Sequence, residues 1–395
     1  MVTFFVLLGL SIVAPILPEY ASEFHVNYTL VGLVVSAFAI ARMFFDLPTG
    51  FLARQYNKKI ILIIGLSLVS SSSILAGFAP NYIVLFIARI IEGMGSAIYV
   101  TTASVYLAQI ATPERRGSLM SVYFGFLLLG TIFGPTLGGF VASSWGIRAP
   151  FHVYAILTAI GIIPTLILPT VPNMNKESSL KLKDFFHGAF NTLKDYNFLL
   201  VLPAIFATFF LRTGVRSTLV PLYGTTNVGL SESDIGILLT FSGLATAATM
   251  VPIGKISDRI GRKNPLLLSL FFTAPFVIWI PFISKFSTFS IAMLLYGAFT
   301  GLSGPMTAYI TDISNSDKIE LYMGMYRLIG DIGFVIGPLL LGLIADYTTI
   351  PIMIGTIKVD LVSWIPFLIA SIVLIVSALI LIKAPNPKPS ERLNK

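Results

Sequence analysis

An all-α membrane protein with twelve transmembrane helices, arranged as two pseudo-symmetric six-helix bundles, is the fold this sequence predicts. Three observations carry the prediction. Of 395 residues, 55% are hydrophobic and only 11% charged, with a mean hydropathy of +0.88, whereas soluble domains carry about 25% charged residues. Apolar runs long enough to cross a hydrocarbon core, which takes about 20 residues as helix, recur along the whole length. None of them alternates with period two, which excludes the strands of a membrane barrel.

The first span covers residues 2–20. It has no basic segment before its apolar run and continues into a proline-bearing helix, so it reads as a retained span and not as a cleaved secretion signal. The others follow at 28–49, 60–78, 82–108, 118–142, 150–171, 197–222, 233–253, 265–283, 287–311, 321–345 and 361–383. Of the 26 Lys and Arg, 18 fall in the alternate loops that begin at residue 50 or in the C-terminal tail with Lys383 at its edge, 3 in the opposite loops and 5 deeper inside spans. That bias places both termini in the cytoplasm, with the chain as a multi-pass protein of the cell membrane. The net charge of +8 is mostly this basic excess and requires no nucleic-acid partner. The absence of cysteine excludes disulfides, thiol catalysis and Cys-ligated metal.

Residues 172–196 form the one long polar interruption. They divide the chain into an N-terminal half, 1–171, a linker, 172–196, a C-terminal half, 197–383, and a tail, 384–395. The linker's LKLKDFFHGAFNTL has apolar residues at helical spacing and is expected as an amphipathic helix on the cytoplasmic surface. The halves repeat each other. Pro48 and Gly50 align with Pro252 and Gly254, and Gly93 with Gly297. One residue out of step, Gly130, Gly134, Pro135 and Gly139 align with Gly333, Gly337, Pro338 and Gly342. Parallel six-helix repeats around a central site are a recurring transporter plan, and small residues let membrane helices approach closely.

Three motifs in order carry a family resemblance. GKISDRIGRK supplies Gly254, Asp258, Arg259, Gly261, Arg262 and Lys263 of a G-x-x-x-D-R-x-G-R-[RK] pattern. RIIEGMGSA supplies Arg89 and Gly93 of R-x-x-x-G. GTIFGPTLGG supplies Gly130, Gly134, Pro135, Gly138 and Gly139 of G-x-x-x-G-P-x-x-G-G, with Gly337 and Pro338 recurring in span eleven. The chain thus resembles a major facilitator superfamily transporter, most like the twelve-span drug:proton antiporters. The resemblance implies a monomeric carrier of a small-molecule substrate and protons in the lipid bilayer, without cofactor or metal. It implies a central cavity between halves that rock in alternating access.

Eight ionisable residues stand out inside spans, where each costs on the order of 2.5 to 3.5 kcal/mol on insertion scales. Arg42 with Asp46, and Arg327 with Asp331, are i,i+4 pairs that can neutralise themselves along one helix face. In the resembled family spans two and eleven face each other, which makes the four candidates for a cytoplasmic gate and both aspartates candidates for proton coupling. Arg89 and Glu92 sit on adjacent turns of span four. Glu92 lies about 15 Å from the outer end at ~1.5 Å per residue, near the bilayer midplane. Loss of water favours its neutral form while Arg89 favours the anion, and this balance marks Glu92 as the first candidate for proton exchange. An acid here departs from the family pattern, in which the position is often uncharged. Arg212 and Arg216, one turn apart in span seven, together with Glu19 of span one, are the candidate lining of the substrate cavity. The eight span residues sum to +2, so an organic anion, moved by proton coupling or by facilitated flow, is the alternative to drugs or amphipathic metabolites.

The counterpart of GKISDRIGRK in the first half is GFLARQYNKK, residues 50–59, in which Arg54 replaces the acid of Asp258. In the family the loop acid sits at the cytoplasmic start of a helix in the other half. For Asp258 that start is preceded by Arg115 and Arg116. For Arg54 it carries Asp312, Asp317 and Glu320 against Lys318, a complementary reversal that adds Arg54, Arg115, Arg116 and Glu320 to the gate. Catalysis is not expected. The three histidines are scattered, and neither an H-E-x-x-H site nor a G-x-x-x-x-G-K-[ST] phosphate loop occurs.

Overall fold

Thirteen helices, α1 to α13, account for nearly all of the ordered backbone in the computed structural model, which describes residues 2–110, 116–170, 188, 190–314, 318–354 and 357–387. They are α1 (Val2–Val13), α2 (Leu17–Ser22), α3 (Tyr28–Gln55), α4 (Lys58–Gly77), α5 (Tyr82–Ile110), α6 (Arg116–Trp145) and α7 (Ala149–Ile167). The second series is α8 (Tyr196–Val228), α9 (Glu232–Ile260), α10 (Lys263–Phe282), α11 (Phe286–Ile313), α12 (Ile319–Thr348) and α13 (Ile365–Ile382). Eleven of these are long and apolar enough to cross a membrane; α1 is the shorter twelfth.

Local chemistry sets many of the ends. The side chains of Asn27, Asn57 and Asp195 accept backbone N–H groups of Leu30, Lys59 and Asn197 at the starts of α3, α4 and α8. Gly146, Gly229 and Gly261 take positive φ just past α6, α8 and α9, where any side chain would be strained. Several helices overrun the expected spans, α3 to Gln55, α8 to Val228 and α9 to Ile260, and two spans differ in form. The first is broken around Pro15, which gives α1 and α2 in place of one helix through residue 20. The last starts four residues later than expected, because Ile357–Leu361 is a strand, β2, pairing antiparallel with β1 (Ile350–Ile354) in a short hairpin. The amphipathic linker helix was expected mainly at residues outside the described set.

Contacts divide the chain into two compact units, Met1–Ser179 with Leu230–Thr240, and Leu180–Gly229 with Phe241–Lys395. In the first, α5 packs on α3 and α4, while α1 packs on α6 and α7. In the second, α12 packs on α8, and α13 on α10.

Candidate functional site

In the first unit the expected charges meet along the seam between α3 and α5. Glu92 is fully buried and Arg89 nearly so. Arg89 Nη1 donates to Glu92 Oε2 at 2.5 Å. The Arg89 guanidinium lies 4.9 Å from the centre of the Phe38 ring, and that of Arg42 lies 5.9 Å from the same ring. Arg42 reaches Asp46 at 3.5 Å, and the other Asp46 oxygen accepts the Thr101 hydroxyl at 3.0 Å. Phe38, Arg42 and Asp46 follow one another at i+4, so α3 presents them as a stripe opposite Arg89, Glu92 and Thr101 of α5. The helices come this close because position 93 is glycine: a Cβ there would stand 2.3 Å from the Phe38 carbonyl oxygen. The Glu92 Oε1 and both Nε atoms of the arginines make no hydrogen bond among the described residues. Tyr154 of α7, completely buried, lies within electrostatic reach of Glu92 and Arg89.

Sequence reasoning found both charge pairs but missed Phe38, Thr101 and Tyr154. Phe38 stands four residues before Arg42, on the stripe that Asp46 continues, and could have been found from that spacing.

The glycine motif of α6 serves two contacts within this unit. Cβ atoms at Gly130, Gly134 and Gly138 would press into Leu8, Ser11 and Ile12 of α1. At Gly139 one would meet the carbonyl of Glu232, and Gly236 is as close to that of Pro135. The hydroxyls of Thr136 and Thr240 hydrogen-bond at 2.8 Å across the same contact. Glu19 of α2 has Glu23 and Glu232 as its charged neighbours in this unit.

In the second unit GKISDRIGRK closes α9 and opens α10. Arg262 donates to Asp258 at 2.9 Å, to Asp312 at 3.0 Å and to the Ala308 carbonyl at 2.7 Å. Lys263 Nζ donates to the carbonyls of Ile382 and Ala384. Arg259 is exposed, and nothing stands near a Cβ added at Gly254. Asp312 thus ends α11 as the partner of Arg262, and is not part of the lead-in to α12 as expected. Arg115 and Asp317 lie outside the described residues, as do the side chains of Arg54, Arg116 and Glu320, and with them the expected charge reversal. Removing Arg262 takes from the mostly buried Asp312 its ion-pair partner at 3.0 Å. Arg262→Ala should therefore destabilise the protein by on the order of 2 to 4 kcal/mol. Arg262→Lys, which lacks the planar fork, should fall between the two. Thermal unfolding of the purified variants measures this; an unchanged midpoint for Arg262→Ala would refute it.

Arg212 and Arg216 occupy Leu211–Leu219, a nine-residue π-helical stretch of α8, and not an ordinary α-turn as the spacing suggested. Pro221, just downstream, has no N–H for the carbonyl four residues before it, which favours wider turns. The side-chain hydroxyls of Ser217 and Thr218 donate to the carbonyls five residues back, of Arg212 and Thr213. Gly214 packs on Gly337 of α12, and Gly333 on the Phe206 carbonyl. The Arg212 guanidinium lies 5.9 Å from the centre of the Phe334 ring. Tyr296 of α11 donates to the Leu211 carbonyl at 3.4 Å and lies near both arginines. Tyr326 of α12 lies near Arg212, Arg327 and Asp331. Asp331 is buried and Arg327 exposed.

Comparison with known proteins agrees with this architecture. An uncharacterized MFS-type transporter of Methanocaldococcus jannaschii is 27% identical over 378 residues, 92% of this chain and 95% of its own. Multidrug resistance protein 2 of Bacillus subtilis is 24% identical, covering 94% of this chain and 90% of its own. Quinolone resistance protein NorA of Staphylococcus aureus is 26% identical, covering 87% and 88%. Among solved structures, the nucleoside transporter NupG superposes with a TM-score of 0.79 at 14% identity, over 96% of each chain. A bacterial homolog of the human lysosomal transporter Spinster also gives 0.79 at 14%, over 100% of this chain and 96% of its own. These two likenesses show the fold. The profile of the Major Facilitator Superfamily matches residues 1–226 and 201–395, so this multi-pass membrane transporter belongs to that superfamily.

Proposed function

We propose that the protein exports drugs or small amphipathic metabolites in exchange for protons, by alternating access as its halves rock, with Glu92 as the proton-carrying group. The observation that carries this reading is a fully buried carboxylate with one oxygen held by Arg89 and the other making no hydrogen bond among the described residues. A carboxylate in that position is stable as an anion only while the guanidinium stays beside it. A conformation that draws Arg89 further over the Phe38 ring leaves Glu92 to take up a proton, and its return expels the proton. The names of the two drug-resistance relatives support the substrate class. Asp46 and Asp331, each buried in its own unit, are the next proton sites in this reading. The residues of 254–263, with Arg42, Arg54, Arg115, Arg116, Glu320 and Arg327, are its cytoplasmic gate. Both termini lie in the cytoplasm, and the carrier works in the cell membrane as a monomer.

Purified protein in proteoliposomes should move substrate against its gradient when the far side is acid, and should stop when the pH difference is dissipated. Transport indifferent to the pH difference would exclude proton coupling. A second reading, transport of an organic anion, is favoured by the exposed Arg212.

A further inference from the structure

We propose that the π-helical middle of α8 is an anion subsite for aromatic acids, small molecules that carry a carboxylate or sulfonate on an aromatic ring, with Arg212 and Arg216 as the charged donors. The inference rests on the reading of the chain as a carrier of small amphipathic molecules and names the chemistry of its cargo.

Depth gives the first argument. Arg212 lies at the midpoint of the 33-residue stretch Tyr196–Val228, and its side chain is exposed. A guanidinium exposed at that depth faces water and not hydrocarbon, because lipid contact there is among the costliest placements for a side chain. The face of α8 that carries Arg212 therefore borders an aqueous path. Arg216, half-buried, is four residues further along the same wide stretch. π-helical turns inside α-helices are frequent at functional sites, and here the widening falls on the two arginines.

The surroundings give the second. Phe334 lies beneath Arg212, with Phe209 edge-on to Phe334 at 5.0 Å and to Tyr326 at 5.7 Å. Flat apolar rings beside forked donors match a ligand that is itself a ring bearing an anionic group. Among the described residues, the charged groups acting on Tyr296 and Tyr326 here are Arg212, Arg216, Arg327 and Asp331, three cations and one anion. A cationic ring compound would meet net repulsion at the same place.

The test uses the full chain, purified in detergent with no pH gradient, and three probes of one shape: naphthalenesulfonate, the uncharged naphthalenesulfonamide and cationic naphthylmethyl-trimethylammonium. Calorimetric titration should find the sulfonate bound about tenfold or more tighter than either of the others, the range of a charge-assisted hydrogen bond. Arg212→Gln should abolish that preference while leaving sulfonamide affinity in place, and Arg212→Lys should retain part of it. Should Arg212→Gln fail to fold, Arg212→Lys and Arg216→Gln provide the same comparison. Tightest binding of the cation, or unaltered sulfonate preference in these variants, would overturn the proposal. Because no gradient is involved, the binding comparison does not depend on proton coupling. A Glu92→Gln carrier that still accumulates substrate would remove the coupling reading alone and leave this subsite standing.

Discussion

Glu92→Gln should yield a folded, membrane-inserted protein that binds substrate but no longer concentrates it in response to a pH gradient. The amide is nearly isosteric with the acid, so the packing of α5 against α3 is kept. Its carbonyl oxygen still accepts from Arg89, now as a neutral hydrogen bond in place of an ion pair. What the amide lacks is a titrating proton. Downhill exchange of labelled for unlabelled substrate should persist while gradient-driven accumulation falls to the level of empty liposomes. The groups around position 92 sharpen the expectation. On its own helix stands Arg89; α3 contributes Arg42 and Asp46, and α7 contributes Tyr154. The charges of α4 are Lys58 and Lys59, at its far start. Among the described residues, Glu92 is the carboxylate paired with Arg89. Normal accumulation by Glu92→Gln would move the proton site elsewhere, with Asp46 and Asp331 next to be changed.

Gly93→Ala should damage stability and transport together. The added carbon would stand 2.3 Å from the Phe38 carbonyl oxygen and 2.8 Å from the Ala41 Cβ, and a backbone atom cannot swing aside. The two helices must separate, at a cost of typically 1 to 3 kcal/mol for overpacking. That separation also lifts Phe38 and Arg42 away from Arg89, so transport should be lost along with stability. Two controls use the same change at other motif glycines. At Gly50 the nearest atom would be an ordinary 3.9 Å away, and at Gly254 nothing stands within 4 Å. Both should unfold within about 0.5 kcal/mol of the parent, as substitutions that meet no close neighbour do. Parent-like unfolding of Gly93→Ala would contradict the close crossing.

The comparison between sequence and structure turns on what periodicity can and cannot carry. Length and apolarity locate eleven spans as long helices, because in lipid the backbone must satisfy itself within each segment. They miss the break around Pro15, which local proline chemistry decides, and the hairpin after α12, whose residues form β1 and β2 and lie before α13. Pairs on one helix, Arg42 with Asp46 and Arg89 with Glu92, are legible as i,i+4 and i,i+3 spacings. Phe38 is legible in the same way as part of the Arg42 stripe, but its meeting with Arg89 is not, since that occurs only where two helices cross at Gly93. Asp312 was misassigned for the same reason: fifty residues separate it from Arg262, and only the fold shows them in contact. The wide turns at Arg212 are a π-helical register, which apolar spacing does not record.

The first residues after α13 have a practical bearing on handling the protein. Ala384 and Pro385 give their carbonyls to Lys263 and Tyr309, and Asn386 accepts the Lys263 backbone N–H while lying against Gly261. A truncation ending at Lys383 would delete all three acceptors, and the ends of α10, α11 and α13 would lose the stitch that ties them. Affinity handles and fluorescent reporters joined beyond Pro387 keep that stitch intact. Fusions that replace residues 384–386 would confuse an unravelled helix end with a failure to be inserted.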